Sequence, residues 1–392
     1  MAVVAFSGCA CERPRQPWMT KEVPQVRVKI GQDASAVSVA VSGPWRLAGA
    51  DGDLADGDRL DWTGVRVAAG RLAIGSLVTV DGPVELHPEG ETVAVDAPGR
   101  GPCRYRGCLR LEPVDGKVRV VNVIAMEPYL AGVVAKEMYR SWHVEAMKAQ
   151  TIAARTYALR HRNRRSRSGF DLYDTQRSQV YGGVEGETPK AWKAVRATAG
   201  IVATYEADGK PVLLSTYYHS ACGGDTVPAG TVFGGPTAPP LRGGTGCTYC
   251  RQSSLYRWKK VPVLTKAEIT AAVRRRGSGV LRNVGNLVRV EVAERTGEDG
   301  RARRIRLVDD AGRSVLVRAA DWRIWVGASK VPSTWFWIED RGDAIALVRG
   351  RGFGHGVGLC QWGARALARA GASWGQILAT YYPGTALADA YD

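Results

Sequence analysis

The chain is predicted to be an α/β protein of the α+β type, from three features of its 392 residues. Short alternating apolar runs fill the front, the apolar period changes to helical in the middle, and strand patterning then returns before a glycine-alternating segment and two closing helices. Residues 25–123 carry VRVKI, VSVAVSG, LVTV, TVAV and KVRVVNV between Gly, Asp and Pro clusters and form a β-rich amino-terminal subdomain. Residues 124–226 are the helical centre, with EPYLAGVVAKEM as one helix and VEAMKAQTIAARTYALRHR as a longer one. A third helix is announced by Thr188 as N-cap, Pro189 at its first position and Gly200 beyond its end.

Residues 227–343 hold a Gly/Pro-rich loop with CTYC, too long for a plain connection, followed by an α/β part. That part opens with a Thr265/Glu268 capping box ahead of three arginines, and continues through LVRVEV, RIRLV and SVLV. Residues 344–392 contain AIALV, GRGFGHGVG and two helices, the last opened by Ser373 with Gln376 three positions on; they should complete a cleft against the helical centre. No repeat of 20 to 50 residues is present.

Composition excludes several classes. No run approaches eighteen apolar residues, so no segment reads as a membrane-spanning helix. Lys and Arg total 54 against 38 Asp and Glu, a net charge of +16, which favours a polyanionic partner. The densest basic run, residues 160–167 (RHRNRRSR), lacks interleaved aromatics and any nucleic-acid motif around it, so no nucleic acid is expected. The opening MAVVAFSGC places small residues before Cys9 as in a lipid-modified bacterial leader, yet lacks a basic start, so residues 1–24 are either a lipoprotein-like amino terminus and linker or a ragged end. An extracytoplasmic chain, secreted or lipid-anchored at Cys9, follows from the first reading. Export would permit disulfides among eight cysteines, with Cys103 and Cys108, in CRYRGC, the expected local pair.

In EPYLAGVVAKEM, Leu130, Val133, Val134 and Glu137 recur at helical spacing, so one carboxyl shares an apolar stripe. Desolvation there keeps a carboxyl protonated, as a general acid requires; a glutamate salt-bridged at the stripe's edge is the alternative. Lys148 and Arg155 share a face of the next helix, where they either meet Glu137 or are solvated. His219 and Cys222 (H-x2-C), then Cys247 and Cys250 (C-x2-C), have tetrahedral zinc spacing. A structural zinc there would fold back the long loop; a Cys222 disulfide to Cys247 or Cys250 is the competing arrangement. Cys360 has no histidine partner in sequence and is not read as a nucleophile.

Five ordered motifs, GVVAKEM, EAMKAQTIAARTYA, DTQRSQVYGG, TYYHSACGG and GRGFGHGVGLCQWGA, make residues 105–387 resemble the SpoIID/LytB family of bacterial cell-wall proteins. The resemblance implies a peptidoglycan lytic transglycosylase, cleaving the MurNAc-GlcNAc bond of glycan strands stripped of stem peptides, or else a noncatalytic amidase enhancer or wall-binding protein. It makes Glu137 the catalytic acid, with Lys148 and Arg155 the cations that assist it. Gln179 and Tyr181 match the family's QVY and are assigned to the sugar cleft, a turn with a packed tyrosine being the alternative. His355 and Gln361 are assigned to sugar hydroxyls or to steadying the carboxyl, unless the glycines serve packing and His355 is a core histidine. Some members bind zinc near QVY, but this chain has Arg177 and Ser178 there. A cell-wall amidase is the implied protein partner.

Overall fold

The computed structural model describes residues 18–90, 92–164 and 168–391. Cys9 with its leader-like surroundings, and the end of the basic run at 160–167, lie outside the described residues. The fold is mixed α+β, with two large antiparallel-rich sheets, several small ones and eight α-helices among the described residues.

In the front, alternation acts as the sequence suggests. Strand Gln25–Ala34 buries Val26, Val28 and Ile30 on one face and pairs antiparallel with Lys117–Ala125, Val28 opposite Asn122. These lie in a seven-stranded sheet that runs out to Gly52–Gly57, while Ala36–Val41 and Leu60–Ala68 sit at the middle of a six-stranded one. A single apolar cluster, from Val39 and Val65 in one sheet to Leu109 and Val120 in the other, joins both. Cys103 and Cys108 do not pair: Cys103 lies in strand Gly101–Tyr105 of the six-stranded sheet and Cys108 in Cys108–Val114 of the other, and both thiols are free. The turn between them passes from sheet to sheet and carries the two side chains apart.

Helix α1 (Met126–Glu137) grows directly out of strand Lys117–Ala125. It is buried on nearly every side, from Met126 through Ala135, and its last residue, Glu137, emerges where that packing ends. Helix α2 (Val144–His161) is buried along most of its length, and its alanines allow close approach of its neighbours. Helix α3 (Pro189–Arg196) begins at the expected Thr188 cap, whose hydroxyl accepts from Ala191 N.

Beyond the short α4 (Ala229–Phe233), residues 263–351 enclose their own apolar core around Trp322, Ile305 and Phe336. It is built from α5 (Lys266–Arg276), which carries the expected capping box, α6 (Ala319–Val326) and two three-stranded sheets. Strand Ala344–Arg351 pairs with Trp335–Arg341 inside this unit, so its core runs past residue 343, where sequence patterning suggested a boundary. Helices α7 (Gln361–Arg369) and α8 (Trp374–Tyr381) return to pack on α2, sharing an apolar cluster with Ala149 and Ile152. The final strand, Ala386–Asp389, then closes on Ile201–Ala207. Among the described residues no helix is long and apolar enough to cross a membrane.

Candidate active site

The end of α1, the loop carrying Gln176 to Val180, strand Tyr218–His219, α6 and the glycine segment at Gly354 and His355 enclose a cleft of about 870 Å³. Five segments, spread from the end of α1 to His355, thus supply its walls. Gly354, with φ +103, allows the backbone to lie against His219, whose Cβ would stand 2.8 Å from any Cβ added there.

Glu137 is half-buried at this cleft. Its Oε1 accepts from the backbone N–H of Val180 at 2.7 Å and from the Tyr218 hydroxyl at 3.3 Å. Burial pushes its carboxyl above the ordinary glutamate value, against the opposing pull of Val180 N–H, Tyr218 and Gln361. Among the described residues no ion pair reaches it.

The Tyr218 hydroxyl is oriented from behind. Tyr129 donates to Gln179 Oε1 at 3.0 Å, and Gln179 Nε2 donates to Tyr218 Oη at 3.1 Å and to Ala154 O. With its lone pair facing Gln179, the phenol has its one proton left for Glu137. Gln179 is fully buried and acts through Tyr218 without lining the cleft.

Other expected residues stand elsewhere. Lys148 does not face Glu137; its Nζ binds Glu145 at 2.8 Å. Arg155 does not either: it is fully buried and clamps Glu127 through Nε and Nη2 at 2.9 and 2.7 Å, with Tyr391 and Ile201 O completing its shell. Helical spacing puts both cations on one face of α2, but Arg155 there meets Glu127 near the start of α1 together with Tyr391, Lys148 meets Glu145 on its own helix, and Glu137 stands at the other end of α1. Tyr181 is not a cleft residue; buried in the front core, it donates to Asn122 Oδ1 at 2.9 Å. In QVY, then, the glutamine positions, the valine supplies a backbone N–H, and the tyrosine anchors.

His355 and Gln361 do line the cleft. His355 Nδ1 accepts from Val357 N, and burial with nearby cations keeps the imidazole neutral. Gln361 also donates to Gln150. His219 lines the cleft with its Nδ1 at 3.1 Å from Val357 O, leaving Nε2 buried and without a partner among the described residues. Burial and the charge of Arg301 lower its pKa to about 3. Cys222, Cys247 and Cys250 do come together, but the fourth member of their group is Cys360, and His219 stands outside it.

Sequence reasoning missed Tyr218, Tyr217 and Phe233 in the cleft wall, and Arg323 from α6. Strand patterning in PVLLSTYYHS marks the segment that carries Tyr218, but only Tyr218–His219 of TYYHS form a strand, and the pattern does not say which side chains face the cleft. Arg323 belongs to an element whose docking no local pattern reveals.

Residues 114–205 match the family model described as Stage II sporulation protein, and residues 247–358 match a domain of unknown function, DUF8618. The chain is similar to an uncharacterized protein of Brachyspira hyodysenteriae, 32% identical over 293 residues that cover 73% of this chain and 72% of the relative. It is similar as well to the Stage II sporulation protein D of Bacillus subtilis, 30% identical, with 69% and 76% covered. The amidase enhancer of Bacillus subtilis is 29% identical, over 66% of this chain and 40% of the enhancer's own length. The family match and these relatives place the chain among proteins similar to Stage II sporulation protein D. The chain belongs to the SpoIID family.

Proposed function

We propose that the protein is an extracytoplasmic lytic transglycosylase that cleaves peptidoglycan glycan strands, with Glu137 as its one acid and base. The observation that carries this reading is a carboxyl at a large cleft, raised in pKa by burial, held by Val180 N–H, Tyr218 and Gln361, and in no ion pair among the described residues. Asp321, the other carboxylate lining the cleft, is neutralised by Arg318 at 2.7 and 3.0 Å. Hydrolytic glycosidases use two carboxyl groups across the bond, one of them to activate water or attack carbon. A single carboxyl suffices when the nucleophile belongs to the sugar.

Protonated Glu137 gives its proton to the glycosidic oxygen as the bond to C1 of muramic acid breaks. The carboxylate so formed takes the proton of the same residue's 6-hydroxyl as that oxygen bonds to C1. The products are a free hydroxyl on the leaving sugar and a 1,6-anhydro ring, with no water consumed and the enzyme's proton restored. Val180 N–H and Tyr218 stabilise the carboxylate between the two transfers. His355 and Gln361 are placed to bind sugar hydroxyls.

Incubation with glycan strands lacking stem peptides, followed by mass analysis, should yield anhydro-muramyl ends. Glu137→Gln should lower the rate by about 10²- to 10⁴-fold, the usual contribution of a positioned acid-base group. Equal rates would remove Glu137 from the chemistry. No product from either protein, with faster release by an added wall amidase, would identify an amidase activator instead, the activity named for one relative.

A further inference from the structure

Four buried cysteines from three distant stretches of chain meet behind the cleft. Cys222 follows strand Tyr218–His219, Cys247 precedes and Cys250 lies within the 3-10 turn Tyr249–Gln252, and Cys360 caps α7. All four sulfurs lie within 4.8 Å of one another, and all four thiols are free. Zinc–sulfur bonds of about 2.3 Å arranged tetrahedrally set sulfurs roughly 3.8 Å apart, so the group is already close to the size of a zinc shell.

Two further observations point to bound charge. Backbone N–H groups aim at the sulfurs: Cys222 N and Gly363 N donate to Cys360 Sγ at 3.3 and 3.4 Å, and Gly224 N to Cys222 Sγ at 3.5 Å. Such donors stabilise a coordinated thiolate. Beside the group sits Arg301, fully buried, its Nη2 donating to Cys222 O while Nε and Nη1 have no hydrogen-bond partner among the described residues. Gly356 leaves it room, since a Cβ there would fall 2.7 Å from Arg301 Cζ. No carboxylate forms an ion pair with Arg301 among the described residues, Asp225 acting on it only at longer range, and a buried guanidinium so placed is costly unless further negative charge lies near. A zinc ion with four thiolates carries two negative charges and supplies it.

We propose that Cys222, Cys247, Cys250 and Cys360 bind one structural zinc ion, with Arg301 as its buried counter-charge. Binding is an acid–base exchange without redox: Zn²⁺ displaces the protons of four thiols, which leave to solvent, and four Zn–S bonds form. Four protein ligands fill the tetrahedral shell, leaving no position for substrate or water. The ion clips the start of the stretch that matches the domain of unknown function to two cleft walls. Tyr218, four residues before Cys222, and Gln361, next to Cys360, both reach Glu137.

The test uses the full chain, purified with its thiols kept reduced and then freed of loose metal by chelation. Elemental analysis should give one zinc per chain, and cobalt exchanged into the protein should show the intense thiolate charge-transfer and visible bands of a tetrahedral four-sulfur site. Cys360→Ser should lose the zinc and His219→Ala should keep it. Should Cys360→Ser fail to fold, the cobalt spectrum of the unaltered protein still decides, because a histidine ligand changes its bands. Folded protein without metal overturns the proposal. So does a mass deficit showing disulfides among these cysteines, or zinc lost from His219→Ala and kept by Cys360→Ser.

Discussion

At the scale of single residues, the orientation of one phenol sets the pH response. In the proposed mechanism Glu137 acts in its protonated form, so the rate on substrate should fall as pH rises through its pKa, which burial raises. Tyr218 donates to the charged form. In Tyr218→Phe the carboxylate loses a donor, the neutral acid is favoured further, and the descending limb of the kcat/KM profile should move to higher pH. A hydrogen bond to a charged group contributes roughly 1.5–3 kcal/mol, so the maximal rate should drop by about tenfold or more as the developing carboxylate loses support. A limb that stays in place would show that Tyr218 does not bear on the titrating group.

At the scale of elements, α1 and α2 are locked by an ion pair, Arg155 with Glu127, that does not line the cleft. The Arg155 side chain is 0% exposed and that of Glu127 16%, so removing the arginine strands a largely buried carboxylate. Arg155→Met should cost about 3–5 kcal/mol in denaturant unfolding. Lys148 and Glu145 are an i,i+3 pair within one helix, a pairing of about 0.2–0.5 kcal/mol, so Lys148→Ala should keep both stability and rate. A large rate loss in folded Lys148→Ala would restore the cation to the mechanism. These two residues mark the limit of what the chain reveals before it folds. Glu137 stands out because a carboxyl on an apolar stripe violates the helical pattern at its own position, but spacing alone leaves a salt-bridged edge residue open, and the family motifs are needed to make it the candidate acid. The capping boxes at Thr265 and Ser373 were legible because their partners lie three residues away. Arg155 was misplaced because spacing assigns a face but not the neighbour that covers it, and Glu127 and Tyr391 reach it across 28 and 236 positions. Cys360 was passed over for the same reason: its companions lie more than a hundred residues upstream.

At the scale of the whole molecule, the +16 charge has a place to act. Lys136, Arg140, Arg177 and Arg323 line the cleft, against Glu137, protonated in the acting state, and Asp321, already paired with Arg318. The cleft is therefore cationic, set in a cationic protein. A glycan strand stripped of its stem peptides exposes a lactyl carboxylate at each muramic acid and is a regular polyanion drawn to such a surface. Exposed charges act over a Debye length that shrinks from about 30 Å at 0.01 M salt to about 8 Å at 0.15 M, so the attraction should weaken steeply across that interval while the buried contacts of Glu137 do not. KM for stripped strands should rise with salt at nearly constant kcat. Arg177→Glu, at an exposed cation of the rim, should raise KM at low salt and flatten its salt dependence, because it reverses one of the charges being screened. Salt-independent KM would assign recognition to hydrogen bonding and ring stacking within the cleft, with the net charge serving another surface.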